Sequence, residues 1–316
     1  MRNYADEDNL HARIYAMRGR LLSLRDYASM VREQQTSALK PSGVHDLIET
    51  KENLFREQIA PVIAIAEAYD KYEPIFLAYL RQFETRNAKM LLAKAYGKKS
   101  LEQWYDIGPF ATLDKELLKK NLSPDEIKSL IADTFLADDL KDFRGYLRME
   151  INLDISQTRN LYNSSKLLSF DSKKEFQEMA LRRIAVLTLI WSYRLTAYYH
   201  WSHEQIHSYL EKFNNLFDGD ARSGIRIVEE ELNRNLEQIR KGGGQEPSII
   251  DIESQLEQSY YAWVSSMFHR DFHSIYCVVA YLWLLFYQIK NLFRVIDGRR
   301  FGMSNEAILN KMICDR

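Results

Sequence analysis

Residues 76–103 read FLAYLRQFETRNAKMLLAKAYGKKSLEQ, and their pattern returns twice further along the chain. Apolar side chains recur in this stretch at helical spacing, which predicts a long helix with one face in a core. They are Phe76, Tyr79, Leu80, Phe83, Met90 and Leu91. Gly97-Lys98-Lys99 then breaks the helix. Ser100 and Gln103 fit a reciprocal capping pair, so a new helix is expected to begin at Ser100.

This helix end and restart has two counterparts. Ser202-His203-Glu204-Gln205 and Ser304-Asn305-Glu306-Ala307 follow the first restart at successive intervals of 102 residues, and each comes after a long apolar segment. Because a fixed period is the mark of repeated structural units, the sequence predicts three similar units. Their expected ranges are 1–110, 111–218 and 219–316.

The composition favours a folded, helix-rich protein. Hydrophobic residues make up 46% of the 316 residues, charged residues make up 28%, and there are only 6 prolines. No stretch of the sequence alternates apolar and polar residues over the length of a β-strand, so the expected fold class is all-α. The pattern predicts separate helices at 45–55 and 59–72, with Pro61 near the start of the second. It also predicts a charged helix at 138–163 and a flexible joint at Gly242-Gly243-Gly244.

Charge and cysteine content restrict the class of protein. The 43 basic and 44 acidic residues balance almost completely, which argues against a nucleic-acid binder. Two cysteines give neither a disulfide framework nor a metal-binding spacing, and they suit a reducing cytoplasm. No apolar leader is read at the N-terminus. The longest uncharged run, residues 274–289, is shorter than the roughly 20 residues of a spanning helix, so a buried core helix is expected.

One stretch matches a catalytic motif. His203-Glu204-Gln205-Ile206-His207 is an HExxH sequence, which on a helix can present two imidazoles to zinc with a glutamate beside the metal-bound water. The extended form of the motif fails, because Leu210 and Phe213 occupy its glycine and histidine positions. A third ligand is needed, and a downstream glutamate from 229–231 could supply it.

The position of this motif favours a plainer interpretation. It lies in the first turn of a helix, where an acidic residue suits the helix dipole. The other two copies have Glu102 and Glu306 at the same place without the histidines. We therefore reject His203, Glu204 and His207 as a metal site. The acidic run Glu229-Glu230-Glu231 is interpreted as a solvated helix face, and no catalytic residues or cofactor site are expected.

Two asparagines stand out on apolar helix faces. Asn87 lies between Phe83 and Met90, and Asn291 lies two periods further on. Since a buried amide must be hydrogen-bonded, we expect both to bond backbone or polar groups between helices. The corresponding position in the second copy is Leu189, so the feature is not shared by all three.

The turns that end the three long helices are candidate contact sites. If the three units are related by symmetry, these turns lie at one end of the molecule. Their residues then form a contact rim, which we define as Lys98, Lys99, His200, Trp201, Arg299 and Arg300. The alternative for the paired cations Lys98-Lys99 and Arg299-Arg300 is that they serve only solubility.

Three segments resemble the C-subunit family of prokaryotic V-type (A/V-type) ATPases, which is related to the d-subunit of the eukaryotic V-ATPase. ARIYAMRGRLLSLRDY (12–27) is similar to that family's opening helix. FETRNAKMLLAKAYGKKS (83–100) resembles its first-repeat signature. AYLWLLFYQIKNLFRVIDGRRFGMSNEAI (280–308) resembles its C-terminal signature, with Gln288 where an acidic residue is usual.

The resemblance implies a non-catalytic rotor subunit. Such a protein is funnel-shaped, with three helical units in pseudo-threefold symmetry, and sits on the cytoplasmic face of the membrane. Its implied partners are the central-stalk subunits and the proteolipid ring, and its implied role is mechanical coupling during ion transport. Two other hypotheses remain at this point: an all-α scaffold protein of another complex, and an HExxH zinc hydrolase.

Overall fold

The computed structural model describes residues 7–32, 43–69, 73–98, 103–132, 134, 145–168, 170–214, 219–243, 248–270 and 274–315. Within these ranges the secondary structure consists of twelve α-helices and short 3₁₀ turns without a β-strand, which confirms the all-α prediction. The helices are α1 (Glu7–Arg18), α2 (Leu24–Arg32), α3 (Val44–Ala66), α4 (Glu73–Ala95), α5 (Pro124–Ala132), α6 (Tyr146–Ser164), α7 (Phe170–Tyr199), α8 (His203–Asn214), α9 (Gly219–Gly243), α10 (Ile249–Phe268), α11 (Ile275–Arg300) and α12 (Asn305–Asn310).

Serine caps fix where several helices begin. At the start of α2 the Ser23 hydroxyl accepts the Asp26 N–H, and the Asp26 carboxylate accepts the Ser23 N–H at 2.7 Å. Ser248 and Asp251 make the same reciprocal pair before α10. Each pair satisfies amides that have no partner inside the helix, so these local sequences decide the helix starts.

The two helices predicted at 45–55 and 59–72 are a single helix, α3, and Pro61 lies inside it. The prediction was wrong because a proline interrupts a helix only when its missing hydrogen bond cannot be replaced. Pro61 and Glu57, four residues earlier, are both on the exposed side, so the Glu57 carbonyl can bond water. On the opposite side Phe55 and Ile59 are fully buried and hold the helix together.

Two further boundaries differ from the prediction. Helix α9 continues through Gly242 to Gly243, so these two glycines are helical and not part of a joint, whereas Gly244 lies outside the described residues. Helix α6 begins at Tyr146, directly after Gly145, whose φ of +93° lies outside the helical region. The earlier part of the predicted 138–163 helix falls on residues 138–144, outside the described residues.

The chain forms two compact units. Unit 1 consists of Met1–Ser164 with Leu284–Arg316, and unit 2 is Ser165–Trp283. Helix α11 begins in unit 2 and ends in unit 1. The three-unit division into 1–110, 111–218 and 219–316 stays a prediction.

Aromatic rings form the centre of unit 1. The Phe55 ring packs edge-on against the rings of Phe83 and Tyr105, at centroid distances of 4.8 and 5.0 Å. Phe83 also contacts Phe286 at 6.0 Å, and Tyr105 contacts Phe293 at 6.3 Å. These contacts join α3, α4, the segment after α4 and the C-terminal part of α11. Large buried aromatic rings contribute strongly to core stability, so this cluster anchors the unit.

Unit 2 is built around α7, which packs against α9 and α10. The Arg183 guanidinium of α7 donates to Glu257 of α10 at 2.7 Å, and both side chains are about nine-tenths buried. Arg183 also lies over the rings of Tyr260 and Trp283, at 5.4 and 5.1 Å from their centroids. The buried charge is therefore paired and surrounded by ring faces that favour a cation.

Helix α11 is long and apolar enough to cross a membrane by length and composition. In its most apolar window, however, 94% of the residues are buried inside the protein. Such burial is typical of a core helix, in agreement with the interpretation of residues 274–289 from the sequence.

Candidate functional site

The long helices α4, α7 and α11 end in turns that share one backbone feature. In each turn a single residue adopts a left-handed conformation: Gly97 with φ +67°, His200 with φ +54° and Gly302 with φ +67°. Such a residue reverses the chain direction and lets the last helical carbonyls find donors. His200 is the only non-glycine residue with positive φ in the part of the chain that the structure describes.

Backbone hydrogen bonds stabilise the turns. After α4, the Lys98 N–H donates to the Ala93 carbonyl at 2.9 Å, and after α11 the Met303 N–H donates to the Gly298 carbonyl at 2.8 Å. After α7, the Trp201 N–H reaches the Leu195 carbonyl, one residue further back. Since these bonds satisfy backbone groups that a helix end leaves open, each turn is held in a defined shape.

The segments after the turns differ from the prediction in one case. Ser202 and Gln205 make the reciprocal cap that starts α8, with bonds of 2.9 and 3.2 Å. The Ser304 hydroxyl accepts the Ala307 N–H and starts α12. The first restart falls on residues 99–102, outside the described residues, and Gln103 lies in an irregular segment instead of a helix. Gln103 is buried, and its predicted capping partner Ser100 lies outside the described residues.

The contact rim residues sit in these turns with different exposure. Lys98 is exposed and its Nζ lies 3.6 Å from the centre of the Tyr146 ring. Arg300 and His200 are exposed, and Arg299 is half-buried. Trp201 is half-buried and packs edge-on against Tyr209 of α8 at 5.4 Å. Lys99 lies outside the described residues.

Within unit 1, the turns after α4 and α11 lie at the same end. Helix α3 runs antiparallel to α11, because Lys51 Nζ pairs with Asp297 at 2.5 Å while Gln58 contacts Gln288 at 2.6 Å. Helix α3 runs antiparallel to α4 as well. Phe55 meets Phe83, while the earlier α3 residues His45 and Ile48 line a groove with Lys94 and Lys98. Both turns therefore lie beside the N-terminus of α3. Lys98, Arg299 and Arg300 thus lie at one end of this unit.

Each turn also carries an aromatic residue directly before its left-handed residue. These residues are Tyr96, Tyr199 and Phe301, with exposed fractions of 36%, 42% and 65%. Reasoning from the sequence missed them, because it considered in these turns only the cations, His200 and Trp201. Aligning the chain on the three turns would have found them. Exposed aromatic rings beside arginine and lysine are typical of protein interfaces.

Asn87 and Asn291 are both buried, with 1% of their surface exposed. The Asn87 side chain donates to the Tyr105 carbonyl at 2.8 Å and accepts the Tyr105 N–H at 2.9 Å. Asn291 makes the same pair of bonds to Ile313, at 2.8 and 3.0 Å. Each amide therefore satisfies both backbone groups of one residue in the segment that follows its helix, which fixes that segment against the helix.

The HExxH residues lie on an exposed surface. His203, Glu204 and His207 are all exposed in the first turns of α8, and His207 Nδ1 lies 3.7 Å from Glu211. Among the described residues no group of three histidine, cysteine, aspartate or glutamate side chains is placed to hold a metal ion.

The acidic run of α9 is not a uniformly solvated face, so this interpretation needs correction. Glu230 is exposed, and Glu231 makes a two-point ion pair with Arg182 of α7 at 2.7 and 3.2 Å. Glu229 turns inward, and burial raises its pKa to about 7. The prediction was wrong because successive residues of a helix point in directions about 100° apart, so three adjacent acids cannot share one face.

This geometry holds basic and aromatic side chains in rigid, exposed turns, which suits binding to another protein surface. Comparison with curated protein sequences gave no match. The family model described as ATP synthase (C/AC39) subunit matches residues 56–311, about four-fifths of the chain. The resemblance at 83–100 and 280–308 lies within this range, whereas the segment 12–27 precedes it. The chain belongs to the ATP synthase (C/AC39) subunit family.

Proposed function

We propose that this chain is a non-catalytic rotor subunit of a V-type ATPase or ATP synthase. It couples the central stalk to the membrane proteolipid ring during ion transport, and it lies peripherally on the cytoplasmic face of the membrane. Its helices form three similar units in a pseudo-threefold, funnel-shaped body. The observation that carries this proposal is the family match over residues 56–311.

The three helix-end turns support the proposal of repeated units. Each turn has an exposed aromatic residue followed by one left-handed residue, at positions 96–97, 199–200 and 301–302. The intervals between them are within one residue of the 102-residue spacing of the serines. A shared local geometry at a shared interval is the expected mark of related units.

Force transmission requires parts that deform little. Helices α4, α7 and α11 have 23, 30 and 26 residues, so each extends for roughly 35–45 Å at 1.5 Å per residue. Their buried faces carry large side chains, and close-packed interiors have low compressibility. The paired hydrogen bonds of Asn87 and Asn291 fix the following segments to two of these helices. Such a body is suited to pass torque from one neighbour to another.

The contact rim is the proposed docking surface for a rotor neighbour. Lys98, Arg299 and Arg300 lie at one end of unit 1, and His200 and Trp201 lie in the corresponding turn of unit 2. Basic side chains favour an acidic partner surface, and their charge speeds association more than it raises affinity. The aromatic residues of the turns supply the apolar contact area that anchors an interface.

Affinity purification tests this function. A tagged form of the full chain is isolated from gently solubilised membranes of its own source, and the bound proteins are identified. Recovery of both central-stalk and proteolipid subunits is the expected result. Recovery of an unrelated complex without these subunits would support the scaffold hypothesis instead. Stoichiometric zinc in the purified chain, with hydrolase activity lost in Glu204→Gln, would support the hydrolase hypothesis.

A further inference from the structure

A groove of about 680 Å³ lies between α7, α8 and α9 within unit 2. Its volume falls in the range of small-molecule sites, which is roughly 300–1,000 Å³. Three of its lining side chains are apolar and at most 9% exposed, namely Leu189, Ile206 and Leu210. The groove therefore has an apolar part against which an organic group could pack.

Two helices each bring a pair of basic side chains to this groove. Helix α8 contributes His203 and His207. Helix α9 contributes Arg222 and Arg226. Within each pair the residues are four apart, so both side chains lie on the same face of their helix. All four are exposed, and basic groups thus reach the groove from two of its three helices.

The other polar groups of the groove include hydroxyls. Helix α7 contributes Thr188, Leu189 and Ser192, none of which is charged, and α9 adds Ser223. Guanidinium, imidazolium and hydroxyl groups all donate hydrogen bonds. A phosphate group has three strong acceptor oxygens, and the planar fork of arginine matches its geometry. A carboxylate has only two oxygens, so this number of donors suits a phosphate group better.

The acidic side chains of the groove oppose an anion only weakly. Glu211 is exposed and lies 3.7 Å from His207 Nδ1, so solvent screens its charge and a protonated imidazole offsets it. Glu229 is half-buried, and burial raises its pKa to about 7. Near neutral pH much of this carboxyl group is protonated, and in that form it is itself a donor. The exposed pair of Arg226 with Glu230, at 3.6 Å, is of the weak kind that a phosphate can displace.

We propose that this groove binds a phosphate monoester group. Arg222 and Arg226 hold the phosphate from α9 and supply its permanent positive charge. His203 and His207 hold it from α8 and add charge as they are protonated, which gives the two histidines of the HExxH sequence a role without a metal. The organic part of the ligand packs against the apolar side chains of the groove. The site belongs to unit 2 and does not depend on the proposed rotor function.

Isothermal titration calorimetry of the full chain with inorganic phosphate and with phenyl phosphate tests this proposal. Saturable binding of one molecule per chain is expected for both at pH 7, with tighter binding of the ester because its ring also contacts the groove. Sulfate keeps two negative charges from pH 6 to pH 8, so its titration reports the protein groups alone. Its affinity is expected to be higher at pH 6 than at pH 8, because the histidines and Glu229 bind protons over this range.

Replacement of the groove arginines localises the site. Arg222→Gln and Arg226→Gln are each expected to lower the affinity for phenyl phosphate at least roughly tenfold, since each removes a charge-assisted hydrogen-bonding group. The matched control is Arg234→Gln, which removes an exposed cation of the same helix that does not line the groove, and its affinity is expected to stay unchanged.

Vesicles distinguish a lipid source of the phosphate from a soluble one. Phosphatidic acid carries a phosphate monoester, and it is mixed as a minor component into phosphatidylcholine vesicles. Sedimentation of the chain with these vesicles, lost in Arg222→Gln and Arg226→Gln, would place the bound group on a lipid. Binding of phenyl phosphate without sedimentation would place it on a soluble molecule.

Two results would overturn the site. One is the lack of saturable binding of phosphate and phenyl phosphate at millimolar concentrations. The other is an affinity that falls equally in Arg234→Gln and in the two groove variants, or that falls in none of them. Binding would then follow the overall charge of α9 or lie elsewhere on the chain.

Discussion

The side chain of Asn291 bonds both backbone groups of Ile313: its Nδ2 donates to the Ile313 carbonyl, and its Oδ1 accepts the Ile313 N–H. The same two bonds join Asn87 to Tyr105 in the N-terminal part of unit 1. The two asparagines lie two 102-residue periods apart in the sequence. In both places an amide from a long helix holds an irregular segment whose backbone is buried.

Replacing either asparagine by leucine is expected to destabilise unit 1 by about 2–4 kcal/mol. Leucine is similar in size but leaves a buried N–H and a buried carbonyl without partners, each of which costs about 1–3 kcal/mol. Urea unfolding of Asn87→Leu and Asn291→Leu measures the loss. Asn53→Leu is the control, because Asn53 is exposed and bonds only the exposed Arg56 in the described structure. An effect of Asn53→Leu equal to the other two would show that the loss does not come from the paired bonds.

Gly298→Ala is expected to disturb the packing of α12 against α11. A Cβ atom at this position would lie 2.5 Å from Cγ1 and 2.8 Å from Cδ1 of Ile308, closer than packed atoms approach. Overpacking of this kind costs about 1–3 kcal/mol. The thermal unfolding midpoint is expected to fall, and the added change Ile308→Ala is expected to remove the conflict, so that the two effects are not additive.

Gly19→Ala is the matched control for Gly298→Ala. Its added Cβ would meet nothing closer than a backbone oxygen at 3.6 Å. The unfolding midpoint is therefore expected to shift no more than it does for an ordinary surface substitution. Strict additivity of Gly298→Ala and Ile308→Ala would contradict the contact between the two positions.

The stability of unit 2 is expected to depend on pH through Glu229. Its folded pKa of about 7 lies above its ordinary value of 4.5, so the folded protein binds the extra proton between these values. The contribution of Glu229 to stability is therefore largest below pH 4.5 and is lost as pH rises towards 7. Relative to the unmodified protein, Glu229→Gln should be about equally stable at pH 5 and more stable at pH 8, by at most about 3 kcal/mol.

Urea unfolding at both pH values measures this difference. Glu230→Gln changes an exposed neighbour and serves as the control, and its difference from the unmodified protein is expected to be small at pH 5 and at pH 8. A Glu229→Gln variant that loses stability equally at both pH values would mean that the folded state needs the carboxylate, contrary to this account.

The buried pair Arg183–Glu257 is expected to respond differently to single and double replacement. Arg183→Met leaves the Glu257 carboxylate buried without its cation and is expected to cost about 3–5 kcal/mol. The double variant Arg183→Met with Glu257→Leu removes both charges and is expected to cost clearly less. Urea unfolding of both single variants and the double variant gives the coupling energy. A double variant as unstable as the sum of the single variants would show that the pair is not coupled.

Local sequence signals were sufficient for much of this fold. Serine caps at 23, 202 and 304 mark helix starts, and Gly97 and Gly302 mark helix ends, because each acts through backbone groups within a few residues. The all-α class follows from the apolar spacing. The position of Asn87 within an apolar stripe indicated a buried amide, but its partner Tyr105 depends on how the later segment folds back.

The signals that failed depend on tertiary context. Pro61 suggested a helix start from the sequence. In the structure Pro61 is exposed and Phe55 and Ile59 are buried, and these positions keep α3 continuous. The acidic run 229–231 suggested a solvated face, yet the rotation between residues leaves Glu229 half-buried and brings Glu231 to Arg182 of α7. The helix predicted to begin at Ser100 would include Gln103, yet Gln103 lies buried in an irregular segment. Local spacing does not contain the packing that decides these cases.

Charge reversal in the contact rim is expected to weaken assembly. The variant combines Lys98→Glu, Lys99→Glu, Arg299→Glu and Arg300→Glu, and it replaces attraction to an acidic partner by repulsion. Its affinity for the rotor neighbours, measured by surface plasmon resonance, is expected to fall at least roughly tenfold. The control reverses four cations outside the turns, namely Lys119, Lys120, Lys174 and Arg234, all of which are exposed. An equal loss in both variants would assign the effect to net charge and not to the rim.

Reconstitution measures directly whether this chain joins the stalk to the ring, as proposed. Purified central-stalk subunits are mixed with vesicles containing the proteolipid ring, with and without the chain, and the stalk protein that sediments with the vesicles is quantified. We expect the stalk to sediment in stoichiometric amounts only when the chain is present, and we expect the rim variant to retain far less of it. Equal sedimentation of the stalk without the chain, or a chain that binds neither the stalk nor the ring, would contradict the proposed function.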